Sequence, residues 1–164
     1  MTIRRVIVAV VAVIAIAWIA RAWWPSEERR IRARLDALAE EVSTPAGNME
    51  DALARMARAV RIGSFFTEAA AIEAGPPYPA LRGRDTIVGA ASSVGAQEVT
   101  LEFVDVQVGV AAGQQAASAY MTAKAAGLDR AGGRGLDASE VEMDFRKVDG
   151  RWLIAAARVR RTLE

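Results

Sequence analysis

The sequence predicts an α+β domain, an antiparallel sheet packed on three helices, behind one N-terminal transmembrane helix. Three observations lead there. The chain opens on an unbroken apolar run. Its middle repeats apolar residues at helical spacing. From Val99 onward the period drops to two and stays there. With 164 residues there is length for one domain and a sizeable core. The boundary falls after residue 25: 1–25 is the anchor (or a signal peptide) and 26–164 the domain.

Val6 to Ala20 are 15 uncharged residues. As a helix they span about 22 Å, against a hydrocarbon core of about 30 Å. The flanks supply the rest. Arg4 and Arg5 can snorkel to one headgroup layer and Arg21 to the other, while Trp18, Trp23 and Trp24 stand where an aromatic belt lies. Counted from Arg5 to Trp24 the segment has 20 residues, enough to cross. The competing reading is a cleaved signal peptide, with Ala20-Arg21-Ala22 as the cleavage site. An arginine inside that site and two tryptophans opening the mature chain favour the anchor. The short tail with Arg4 and Arg5 places the N-terminus in the cytoplasm, as a single pass of the inner membrane with the domain on the extracytoplasmic side. Arg21, Arg29, Arg30, Arg32 and Arg34 pull the other way.

Ser26 caps the first helix, with Glu27 and Glu28 in the turn where the dipole favours acids. Ile31, Leu35, Leu38 and Val42 form its apolar stripe, and Arg32 pairs with Asp36 on the outer face. "STPAGN" breaks it. Asn48 caps a second helix whose buried stripe is Leu53, Met56, Ala57 and Val60, with Arg55, Arg58 and Arg61 opposite, Asp51 paired to Arg55, and Gly63 at its end. A short strand covers Thr67 to Glu73, and "GPPYP" must be a loop. Ile87, Ala91 and Val94 share one face of a short third helix that Gly95 stops.

Four strands follow. "VTLEFVDVQVGV" slips phase at Phe103-Val104, where a β-bulge keeps both halves facing the core. "AASAYMTAKA" comes after a turn at Ala112-Gly113-Gln114, and "GLDRAGGRGLD" is a hairpin loop. "SEVEMDFRKV" alternates Val141, Met143 and Phe145 against Glu140, Glu142, Asp144 and Arg146. Asp149-Gly150 then turns the chain into "RWLIAAARVRR".

Composition excludes several functions. Three of the 21 basic residues fall in the first 24, which hold no acid. The remainder carries 18 basic and 20 acidic residues, net −2. That balance gives no footing for nucleic acid. With no Cys there is no disulfide framework, zinc-thiolate site or thiol nucleophile. With no His the usual general base and the commonest metal ligand are missing. No metal and no cofactor is expected. Arginine outnumbers lysine by 19 to 2, the habit of a GC-rich bacterial genome.

The element order and the hairpin "FRKVDGRWLIAAARV" resemble the nuclear transport factor 2-like (SnoaL-like) superfamily, over about Ser26 to Arg161. That resemblance implies a cone-shaped, strongly bent antiparallel sheet wrapped round helices, with a pocket at its open end. The superfamily holds isomerases, dehydratases and cyclases, and also binding and scaffolding domains. Its enzymes use a pocket Asp with His or Tyr. Without His that dyad cannot be carried over, and no catalytic residue is assigned. A membrane helix directly before such a domain is similar to the bitopic periplasmic subunit of type IV secretion systems and to Mce-associated membrane proteins, both assembly components.

Each candidate for chemistry has a plainer alternative. Asp105, at the bulge, becomes a base if it points into an apolar pocket; otherwise it faces water. Tyr78 and Tyr120 are oxyanion donors or core-closing tyrosines with wet hydroxyls. Glu142 and Asp144 could hold a cation or merely line an exposed strand face. "GGRG" lacks the helix start and Lys-Ser/Thr of a phosphate loop. Arg158, Arg160 and Arg161 suit acidic lipid, a partner, or water. Phe65, Phe66, Phe103, Tyr120 and Trp152 line the core or the pocket. The leading expectation is a non-catalytic, membrane-anchored domain that works by protein–protein contact in a bacterial envelope assembly, with homodimerisation through the open sheet face. The alternative is a binder of a small apolar ligand in the cone. Third comes an isomerase or dehydratase built on Asp105 and a tyrosine.

Overall fold

A computed structural model describes residues 26–43, 51–93, 99–128 and 134–160. Helices α1 (Glu27–Val42) and α2 (Ala52–Gly63) lead into strand β1 (Phe66–Glu73). Then come β2 (Leu81–Arg82), α3 (Arg84–Ser93), β3 (Val99–Val110), β4 (Ala116–Leu128), β5 (Arg134–Val148) and β6 (Arg151–Arg160). The strands make one six-stranded sheet in the order β2-β1-β6-β5-β4-β3. The α+β class and the three helices agree with the sequence. The all-antiparallel sheet does not: β1 runs parallel to β6. Local alternation reveals hairpins, but a parallel pair joins strands far apart in sequence. The two-residue β2 was too short to carry a period.

The proposed membrane span, with Arg4, Arg5, Trp18, Arg21, Trp23 and Trp24, lies outside the described residues. Among those described, no helix is long and apolar enough to cross a membrane.

Ser26 caps α1 by accepting from the Arg29 amide at 3.3 Å. Ile31, Leu35 and Leu38 are buried as the spacing required. The stripe packs across β3, where Ser43 Oγ accepts from the Leu101 amide at 3.0 Å. The first turn is fixed at the other end of the sheet, Trp152 Nε1 donating to Glu27 Oε2 at 2.6 Å.

α2 is a correction. Asp51, not Asn48, caps it, accepting from the Ala54 amide at 2.7 Å; Asn48 lies outside the described residues. The stripe assigned to the core faces water: Leu53 is 79 % exposed, Met56 50 % and Val60 56 %. The buried side is the small-residue face, Ala59 and Gly63. Gly63 lies so close to Val88 of α3 that a Cβ there would overlap the valine methyl. Close backbone approach has outweighed burial of the larger side chains.

The hairpin turns follow the sequence. Asp149 and Gly150 both take positive φ, 50° and 76°, the left-handed pair that a two-residue turn requires. The bulge in β3 exists but sits later than Phe103-Val104. The register shifts between Val104 and Gln107, with Asp105 at φ 54°.

Candidate functional site

The sheet has two faces, and the strand period sorts residues between them. One face carries Ala119, Met121, Val141, Met143, Phe145 and Ile154, all buried against the helices. Phe65, Phe66 and Trp152 are buried in the same core, and Phe103 is half-buried against it. These four aromatic candidates therefore pack rather than present themselves to a ligand. Tyr78 is 60 % exposed in the β1–β2 connection, away from the others.

The outer face carries the alternate residues, and both clefts described here open on it. The first, about 410 Å³, is bordered by Asp105, Gln107, Tyr120, Thr122, Glu142 and Arg160. Cross-strand register builds it: Gln107 lies opposite Tyr120, Tyr120 opposite Glu142, and Glu142 opposite Arg158. Tyr120 Oη donates to Glu142 Oε1 at 3.0 Å. Arg160 donates to Glu142 Oε2 at 3.2 Å. Arg158 reaches Asp144 Oδ2 at 3.1 Å. The hydrogen bond to Glu142 holds the Tyr120 phenol above its ordinary pKa, and the carboxylate's charge adds to it. A tyrosine so placed keeps its proton at neutral pH, so it acts as a donor and not as a base. Asp105 and Tyr120, proposed together from sequence, do border one cleft. Asp105 is exposed there rather than enclosed by apolar walls.

The second cleft, about 650 Å³, lies along the same face between Gly109, Ala116, Ser118, Asp144, Arg146 and Ala156. Its small residues, Gly109, Ala116, Ser118 and Ala156, lie beside the charged Asp144 and Arg146. Among the described residues, no group of three acids or other ligating side chains could hold a metal ion.

Sequence reasoning named Glu142, Asp144, Arg158 and Arg160 but did not pair the acids with the arginines. The signal was the register of the β5–β6 hairpin. Counted straight back from the Asp149-Gly150 turn, Glu142 would face Ala157. A shift between Asp144 and Phe145 brings Arg158 there instead.

No family model and no curated protein matches the sequence. Solved structures do match the fold. An NTF2-like protein with a cystatin-like fold from Novosphingobium aromaticivorans superimposes with TM-score 0.64 at 14 % identity, over 87 % of this chain and 86 % of that one. A candidate scytalone dehydratase from the same bacterium gives TM-score 0.67 at 15 % identity, over 84 % and 85 %. The association domain of C. elegans CaMKII gives TM-score 0.62 at 13 % identity, over 82 % and 95 %. These superpositions make this chain similar in fold to nuclear transport factor 2-like proteins.

Proposed function

We propose that the chain is a non-catalytic interaction domain whose outer sheet face pairs with a second copy. The carrying observation is that face itself. It carries small residues at Gly109, Ala116, Ser118 and Ala156, beside a lattice of opposite charges on Glu142, Asp144, Arg158 and Arg160. In a two-fold contact each copy supplies both signs to the other. The likeness to the CaMKII association domain supports the same reading. Residues 1–25 would hold the domain at the extracytoplasmic face of the inner membrane, within an envelope assembly.

Full-length protein in mild detergent, measured by size exclusion with light scattering, should be dimeric. Ser118→Arg, which sets a long cation among these small residues, should yield monomer with unchanged circular dichroism. Monomeric wild-type protein at every concentration would remove the reading.

An enzymatic reading is favoured by one feature, the left-handed Asp105 at the cleft, because strained backbone concentrates at functional sites. It ranks second because the carboxylate is exposed and Tyr120 is already hydrogen-bonded to Glu142. Asp105→Ala with full function in cells would dismiss it. The apolar-ligand reading fares less well, since Met143, Phe145 and Trp152 fill the inner face.

A further inference from the structure

The register of the sheet sorts its outer face into rows. Val108, Ala119, Met143 and Ala157 stand opposite one another on β3, β4, β5 and β6. This row turns its side chains into the core and forms a dividing line on the outer face. On one side of the line runs Gln107–Tyr120–Glu142–Arg158, and on the other Gly109–Ser118–Asp144–Ala156. The first row is built of long side chains, with Tyr120 53 % exposed. The second is built of short ones, and the cleft of about 650 Å³ opens over it.

One step further out on β5 stand Glu140, beyond the long row, and Arg146, beyond the short one. Both are exposed, and neither enters the ion pairs of Arg158 and Arg160 with Glu142 and Asp144. They lie at equal distances on either side of Met143, about 10 Å each way.

A two-fold axis laid along the dividing row exchanges its two sides. It sets the long row of one copy over the short row of the other: Tyr120 over Ser118, Gln107 over Gly109, Arg158 over Ala156. It also sets Glu140 over Arg146 twice, once from each copy. Glu142 then meets Asp144, the like-charged approach in this arrangement. Arg158 offsets it, with Nη1 4.0 Å from Glu142 and 3.1 Å from Asp144 in its own chain. Packed sheets cross at about 30°, which at about 10 Å from the axis displaces Glu140 from Arg146 by about 5 Å, a gap that two long side chains span. An axis along β5 fails on both counts, because it stacks long row on long row and Glu140 on Glu140.

We propose that two copies pair about the axis along Val108–Met143, the Tyr120 of each seated in the cleft over Gly109, Ser118 and Ala156 of the other. Glu140 and Arg146 close the contact at both ends. The inference rests on the outer-face dimer proposed above and adds its register.

Charge reversal tests it in full-length protein in mild detergent. Glu140→Arg sets arginine on arginine at both ends of the contact, and Arg146→Glu sets acid on acid. In light scattering over a concentration series, each variant alone should dissociate at concentrations about tenfold or more above wild type. Mixed in equal amounts, the two variants should return to dimer at wild-type concentrations, because each chain then offers the other the opposite sign at both ends. Tyr120→Ala should also weaken the dimer about tenfold. Three results would each overturn this register and spare the dimer. They are variants that dimerise alone as tightly as wild type, a mixture that stays monomeric while each variant keeps the wild-type circular dichroism, and Tyr120→Ala as tight as wild type. Wild-type protein that is monomeric at every concentration would overturn the dimer and its register together.

Discussion

Glu27 receives two groups from elsewhere in the fold, Trp152 and Lys147, and one from its own helix, Arg30. Trp152 donates at 2.6 Å, Lys147 Nζ lies at 3.0 Å and Arg30 at 3.2 Å. The indole hydrogen bond holds this carboxyl below the ordinary carboxylate range; partial burial opposes that, and Lys147 and Arg30 reinforce it. Because the folded value is depressed, the contribution to stability is complete above the unfolded value near 4.5 and is lost as pH falls through the folded one. Glu27→Gln should flatten that acid limb, and its melting temperature should converge with wild type at the lowest pH. Glu27→Ala leaves the buried indole N–H bare and should cost about 1–3 kcal/mol in denaturant unfolding at neutral pH. At Asp105 the backbone sets the rule. Its φ of 54° suits Asp or Gly, so Asp105→Gly should be near neutral. Asp105→Val should destabilise by about 1–3 kcal/mol.

At the scale of elements, two positions of α2 respond otherwise than its sequence suggests. Leu53 reads as core and is 79 % exposed. Leu53→Glu should change unfolding free energy by no more than about 0.5 kcal/mol, where a core leucine lost to Ala costs about 2–5. Glycine inside a helix costs about 1 kcal/mol against alanine, so by propensity alone Gly63→Ala would stabilise α2. Its contact with Val88 reverses that. Gly63→Ala should destabilise by about 1–3 kcal/mol through overpacking, and Val88→Ala in the same chain should recover part of the loss. Melting curves of the two single variants and the double separate these effects.

Across the molecule, one core joins α1 to the inner face of the sheet, with Ile31, Leu35, Phe145 and Ile154 at no more than 1 % exposure. Phe145 sits where β4, β5 and β6 meet, opposite Ala117 and Ile154. Phe145→Ala should cost about 3–5 kcal/mol. The two faces divide the labour. The inner one is spent on cohesion, and the outer one, with its small residues and ion pairs, is where function is sought.

The sequence alone determined the α+β class, the α1 stripe, the four-strand meander and the Asp149-Gly150 turn. These depend on interactions between near neighbours, and helical or strand period records such interactions directly. It also placed Phe65, Phe66, Phe103 and Trp152 together, although as core rather than pocket. Tertiary structure decided the rest. Pairing of β1 with β6 joins strands far apart in the chain. The exposed face of α2 is set by Gly63 meeting Val88, a contact between helices that no single-helix pattern contains. The outer-face lattice depends on a one-residue slip in β6. The run Ala155-Ala156-Ala157 hides that slip, because three identical small side chains carry no period. Which side of an element is buried is a property of what packs against it, and a period reports only that two sides differ.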